Sequence, residues 1–404
     1  MEMLFSIARC KTYFLILMKR FFLLVSILIG GYTTLIATPR FYLLTIAEMN
    51  DVYALYGHSA IRVLDTATNN DFIVDWGVFD FNQPNFYTNF TSGKMLYTTN
   101  VQPYELYLRQ NYYFKKGVTS REIILNETQS ERLLNLILLN LEPQNRNYYY
   151  KFIQDNCATR PRDLLERALG EALIYPDGSS ESKTFRDILH DFQYPHAWYN
   201  FLIDIVLGSR IDKKAGFREQ MFIPMYLENN LAQAMVQDSS GVQMHPLLSA
   251  PTVVIEKVPL KKTFWVYGPE LALSMLLILV LTLGLLKKGR KFLRIFDICF
   301  FGIIIFFGLG IMLLWGLSLH TETYDNYNLF WLNPLFVLPL IALRAKRKIK
   351  YLIFTAAYVL VFATTALCGA YPQSFPASMY IVLAIVLARC FTDYCAKKAL
   401  FEKS

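Results

Sequence analysis

Apolar positions in this 404-residue chain fall into blocks separated by one long mixed region. Residues 21–37 form the first block, preceded by Met18-Lys19-Arg20. A basic start and a short apolar run predict a secretory signal, or an N-terminal anchor if it is not removed. Both readings stay open, because Leu35-Ile36-Ala37 is a poor small-x-small cleavage site. Residues 38–262 have the mixed pattern of a folded domain. Five apolar runs follow, at 265–286, 293–317, 328–344, 351–369 and 377–394, each near the roughly 20 residues a helix needs to cross a bilayer.

The charges between those runs set an orientation. The first connection carries Lys287, Lys288, Arg290 and Lys291, the third carries Arg344, Lys346, Arg347, Lys348 and Lys350, and the tail carries Lys397, Lys398 and Lys403. The connections 320–328 and 369–375 contain no Lys or Arg. Basic segments stay inside, so the mixed domain is expected outside. The predicted organisation is a signal or anchor over 1–37, an extracytoplasmic domain over 38–262, and a membrane domain of about five helices over 263–404. A hydrophobic fraction of 54% excludes an ordinary soluble enzyme. The net charge of +8 is explained by the span ends, so no nucleic-acid partner is expected.

Within the mixed region the early half reads as β. Residues 59–64 predict a strand, 65–70 a turn and 72–78 the return strand. Helices are predicted over 128–141, opened by Thr128 as cap, and over about 157–169. The fold class expected is therefore α+β, followed by an all-α membrane domain.

Of six cysteines, Cys157 is alone between the first apolar run and Trp265. Such a residue in an exported domain has no intrachain disulfide partner. A buried inert cysteine is the ordinary reading. The helical pattern that follows favours a nucleophile instead, because unpaired N–H groups at a helix start lower a thiol pKa. No CxxC pair or zinc-ligand spacing is present, and no metal or cofactor is expected. A thiol nucleophile needs a base, and this region offers His58, His190, His196 and His245. His58 follows Gly57 at a strand start. Asp75 interrupts an apolar strand on the same face as Ile73 and Gly77, and a hairpin turning at 66–70 brings it opposite His58. Asp71 and Asp51 are weaker candidates for the third residue.

Three stretches together resemble a known family: Gly57-His58-Ser59-Ala60; Asp75-Trp76-Gly77-Val78-Phe79-Asp80-Phe81 with Pro84-Asn85-Phe86; and Asp155-Asn156-Cys157-Ala158-Thr159-Arg160. They look like the Lnb-type N-terminal periplasmic domain of Bacteroides-group lipoprotein N-acyltransferases. The resemblance extends in outline to the five C-terminal spans. It implies a circularly permuted papain-like (NlpC-like) fold, with histidine before cysteine as in lecithin–retinol acyltransferase. On it, Cys157 is the nucleophile, His58 the base and Asp75 the orienting residue.

The implied reaction moves an acyl chain from a membrane phospholipid, through a Cys157 thioester, to the α-amino group of a diacylated lipoprotein. Asn156, Arg160 and Arg162 are then candidates for substrate binding, the arginines for a lipid phosphate; ion pairs with Asp155 or Asp163 are the alternative. Pro161 suits a first helical position, which would leave Cys157 one turn before the helix. His320, Asn326, Asn328 and Asn333 flank the third span on its outer side and are candidates to receive the headgroup or the lipoprotein N-terminus. The alternative is an interfacial loop anchored by Trp331. Two rival functions remain: a membrane-anchored cysteine peptidase or amidase on cell-wall peptides, and a non-catalytic receptor.

Overall fold

The computed structural model describes residues 38–176, 183–193, 196–238, 241, 243–259, 268–286, 289–342 and 348–401. The expected signal or anchor over 1–37 lies outside the described residues, as do several residues of the basic connections. Ten strands are described: β1 Arg40–Ile46, β2 His58–Asp65, β3 Asn70–Val78, β4 Leu96–Pro103, β5 Val118–Ile123, β6 Asn147–Tyr149, β7 Leu173–Ile174, β8 Met235–Gln237, β9 Met244–Pro246 and β10 Thr252–Ile255. The helices of the N-terminal domain are α1 Phe86–Ser92, α2 Tyr104–Tyr113, α3 Glu127–Leu141, α4 Thr159–Leu169, α5 Phe185–Gln193, α6 Ala197–Val206 and α7 Pro224–Leu231. Those of the membrane domain are α8 Gly268–Leu285, α9 Arg290–Leu317, α10 Val337–Ala342, α11 Lys348–Leu367 and α12 Ala377–Phe401.

A seven-stranded antiparallel sheet in the order β10-β5-β1-β2-β3-β4-β6 organises the first domain. Its central strands β1, β2 and β3 are largely buried on both faces, and side chains alternate between them. Phe41, Leu43, Ile61, Val63, Val74 and Trp76 face a core completed by Leu133 and Ile137 of α3 and Leu164 and Leu165 of α4. Leu44, Ile46, Ala60 and Ile73 face the other way, with Tyr107 of α2. Each such buried side chain contributes roughly 1.5–3 kcal/mol. The β2–β3 hairpin turns where expected, and pairs Ala60 with Asp75. The α3 cap is Asn126 rather than the expected Thr128: its side chain accepts from Gln129 N while the Gln129 side chain accepts from Asn126 N, a reciprocal box that starts the helix earlier than expected.

In the second domain, four helices among the described residues are long and apolar enough to cross a membrane: α8, α9, α11 and α12. The fifth expected span, 328–344, is not one helix. Its described part is a pair of 3-10 turns, Tyr327–Phe330 and Pro334–Phe336, followed by the six-residue α10. Pro334 interrupts the run, and Asn333 caps the turn it starts by accepting from Leu335 N, so the apolar composition of this stretch fills space between longer helices. Trp331, Leu332 and Phe336 are buried against Phe301, Val359 and Met379.

The two domains are joined through the connections that lack basic residues. Leu319, Glu322, Asp325, Asn326 and Asn328 all bond to the N-terminal domain, and Ser374 N donates to Asp212. Gly208 is needed here, because a Cβ at that position would stand 1.9 Å from the Tyr324 carbonyl oxygen.

Candidate active site

Cys157 is placed by the turn that starts α4. Asn156 Oδ1 accepts from Ala158 N at 2.8 Å and Thr159 N at 2.9 Å, and Thr159 Oγ1 accepts from Asn156 N at 2.8 Å. Arg160 N already donates to Asn156 O in the helical pattern. Asn156 therefore closes the turn that leads into α4, and Cys157 lies in that turn, two residues before Thr159, the first residue of the helix. Its own N–H has no partner among the described residues. Pro161 sits further in and has no N–H for the Cys157 carbonyl. Ser59, fully buried in β2 beside His58, donates to that carbonyl at 2.6 Å instead. One bond thus ties the backbone of the nucleophile to the strand that carries the base.

His58 and Asp75 meet as predicted, with His58 Nε2 bonded to Asp75 Oδ1. Burial opposes charge on the imidazole, but the Asp75 carboxylate and the Cys157 sulfur beside it raise the His58 pKa well above its ordinary value of 6.5. With Nε2 engaged by Asp75, Nδ1 is the ring nitrogen free to exchange a proton with the thiol. Gly77 lies in the bulge between Asp75 and Val78 at φ +84°, and a Cβ there would press on the Tyr150 ring at 3.0 Å and stand 3.8 Å from Cys157 Cβ. Burial, with the Cys157 sulfur next, pushes the Tyr150 pKa far above 10. Its hydroxyl stays protonated, a second donor beside the sulfur. Ser59 and Tyr150 were not singled out from sequence. Ser59 stood inside the Gly57-His58-Ser59-Ala60 motif without a role, and Tyr150 is the last of three consecutive tyrosines, 148–150, with nothing local to distinguish it.

The remaining expected site residues are elsewhere or fully engaged. Asn156 is 2% exposed, and its amide nitrogen donates to Phe152 O and Phe222 O, so it holds the turn instead of a substrate. Arg160 forks onto Asp155 at 2.5 and 3.0 Å and lies 3.3 Å over the Tyr148 ring. Arg162 is buried against Asp163 and the Arg218 carbonyl. The outer polar residues are not gathered round the thiol. Asn326 donates to Ile205 O and Val206 O, and Asn328 to Asp204 O and Ile205 O. They satisfy the last carbonyls of α6, which a helix end leaves without partners. Asn333 donates to Tyr358 Oη at 3.0 Å, and His320 Nε2 bonds Phe90 O at 2.7 Å.

A cavity of about 650 Å³ opens between the domains, beside the segment leading to Cys157. Lys151, Arg162, Arg210, Lys213 and Arg218 line it, opposed by Asp163, Glu219 and Glu322. Neither His58 nor Cys157 is part of its wall. Among the described residues no cluster of side chains suits a metal ion.

These features define a membrane protein of the α+β class whose sheet domain holds a cysteine–histidine–aspartate constellation above a helical bundle. The chain belongs to the Lnb family: the Lnb N-terminal periplasmic domain matches residues 34–190 and the Lnb transmembrane domain matches residues 261–399. The sheet domain is accordingly periplasmic. No curated protein and no solved structure matches the chain.

Proposed function

We propose that this protein is a lipoprotein N-acyltransferase of the inner membrane, working through an acyl-Cys157 thioester. The observation that carries the reading is the placement of the Cys157 sulfur beside an imidazole whose other edge is held by Asp75. In the first step the thiol proton passes to His58 and the sulfur attacks an ester carbonyl of a phospholipid. The tetrahedral oxyanion takes the unpartnered Cys157 N–H. Collapse breaks the ester C–O bond, and His58 returns the proton to the departing lysophospholipid oxygen. In the second step the α-amine of a diacylated lipoprotein attacks the thioester and gives up a proton to His58; an amide forms as the C–S bond breaks, and the proton returns to the Cys157 sulfur. Splitting one acyl transfer into two steps lets lipid and protein substrates visit the same thiol in turn. The basic cavity beside the turn is the place for the headgroup phosphate, which multiple Lys and Arg donors suit. Docking of the domain on the outer connections keeps the thiol near the bilayer, which favours a lipid donor over a cell-wall peptide.

Intact-protein mass spectrometry tests this directly. Wild-type protein incubated with phospholipid should gain one acyl mass on Cys157, released on adding a diacylated lipopeptide, and Cys157→Ser should show no thiol-labile adduct and no triacylated product. Unchanged lipopeptide triacylation by the variant would remove the mechanism.

A further inference from the structure

From Tyr150, beside the nucleophile, aromatic rings follow one another towards the membrane domain. Tyr150 stacks on Tyr97 with centroids 4.4 Å apart, and Tyr97 lies 5.2 Å from Phe79. Phe79 lies 6.1 Å from Phe86 at the start of α1, and Phe86 stacks on Phe90 at 6.2 Å with planes 7° apart. Phe90 ends the series 6.0 Å from the ring of His320, in the outer connection after α9. Helix α1 is fixed there by its backbone, with Leu319 N donating to Ser92 O at 2.9 Å and Gly93 closing on Leu319. It therefore rests at the outer end of a membrane helix.

The exposed side of α1 does not suit water. Tyr87 is 82% exposed and Phe90 49%, and none of residues 81–93 carries a charge. Aromatic side chains with polar neighbours and no charge are what a bilayer interface selects. The ring contacts join this exposed side of α1, through partly buried Phe79 and Tyr97, to Tyr150 beside the buried thiol.

We propose that α1 lies in the outer interface of the bilayer and that the rings from Phe90 to Tyr150 form the path along which one acyl chain of the donor phospholipid leaves the bilayer to reach Cys157. Phe86 and Phe90 would receive the chain at the membrane, and Phe79 and Tyr97 would line its course. This inference rests on the reading of Cys157 as an acyl acceptor. It goes beyond that reading in assigning the tail of the lipid a route and an entry point.

The test uses the full chain in nanodiscs and follows the acyl-enzyme by intact mass with two donors: a dipalmitoyl phospholipid in the disc and the water-soluble ester p-nitrophenyl acetate. The double variant Phe86→Ser with Phe90→Ser should slow acylation by the phospholipid about tenfold or more, the loss of one to two well-buried aromatic contacts. It should react with the soluble ester at close to the wild-type rate, which also shows that it is folded. A phospholipid bearing a diazirine near the end of one chain should crosslink wild-type protein within the peptides that carry α1 and Tyr97. Equal slowing with both donors, no slowing with either, or crosslinks confined to α8–α12 would overturn the path while leaving the acyl-enzyme intact. A wild-type protein that acquires no acyl group from either donor would instead sink the role of Cys157, and the path with it.

Discussion

Two groups of polar residues lie close to the outer end of the membrane domain, and they differ in how much bonding capacity each has left. At the start of α4, the Cys157 N–H, the thiol and the second nitrogen of His58 are not committed to backbone. In the clasp between α6 and the connection after α9, the side-chain amides of Asn326 and Asn328 and the guanidinium of Arg186 are all engaged. Asn326 and Asn328 cap three carbonyls, Asn328 Oδ1 accepts from Trp331 Nε1 at 2.8 Å, and the Arg186 guanidinium is divided among Asp204, Asp212 and the Gly208 carbonyl. Buried polar atoms are required in both places, but for opposite reasons. A filled set of hydrogen bonds fixes two domains in one arrangement; a partly empty set is available to a reacting group. Polarity near a membrane therefore marks a site only where capacity is left over.

The sharpest way to break the comparison is at His58. His58→Ala should lower the rate of thioester formation by about a thousandfold, the range of a lost general acid–base, with a lower thermal midpoint in detergent because buried Asp75 loses its partner. A variant acylating at the wild-type rate would place the base elsewhere. Asp75→Asn should follow, with a loss of about a hundredfold or more, since an amide neither fixes the imidazole tautomer nor balances its charge. It has a second signature in pH. The folded pKa of His58 stands above its unfolded value, so the stability it contributes is complete below about pH 6.5 and is lost as pH rises through the folded value. Replacing Asp75 lowers that folded value. The gap in thermal midpoint between wild type and Asp75→Asn should be widest near pH 6 and close on the alkaline side. A gap that grows with pH contradicts the pairing.

The clasp should show the reverse profile. Asn326→Ala with Asn328→Ala leaves the carbonyls of Asp204, Ile205 and Val206 buried and unsatisfied, at about 1–3 kcal/mol for each group left unpaired. The thermal midpoint should fall by many degrees, while p-nitrophenyl acetate still acylates the folded fraction at the wild-type rate. Loss of that reactivity without loss of stability would make the asparagines part of the chemistry.

The sequence was legible where local pattern and chemistry coincide. The β2–β3 hairpin, the Asp75 position opposite Ala60, and the cysteine just before a helix start all follow from alternation, turn residues and helix periodicity. The first strand, Arg40–Ile46, escaped because five of its seven residues are buried, and a strand covered on both faces shows no alternation. Ser59 escaped because its partner, the Cys157 carbonyl, is 98 residues away and is free only through the missing N–H of Pro161. The stretch 328–344 misled by composition: it is as apolar as a span, yet Asn333-Pro334 breaks it. Asn326 and Asn328 looked like substrate ligands because nothing local reveals that a helix end 120 residues earlier needs donors.

Arg160 gives the smallest effect and the finest distinction. As a phosphate ligand it would be judged by substrate affinity; as a brace it is judged by the turn it holds. Its fork on Asp155 closes the segment in which Lys151 N donates to Asp155 O and Asp155 N donates to Lys151 O, and its plane covers Tyr148, the neighbour of β4 through Tyr97. Arg160→Lys keeps the charge but loses the two-pronged geometry and the stacking face. The pair is partly exposed and Lys keeps the charge, so the loss is about 1 kcal/mol, and the thermal midpoint should drop by only a few degrees. The concentration of phospholipid at half-maximal acylation should not move, because the positive charge remains and the cavity that would take the phosphate is lined by other side chains. A severalfold rise in that concentration, with stability unchanged, would transfer Arg160 from the group that holds the turn to the group that meets the substrate.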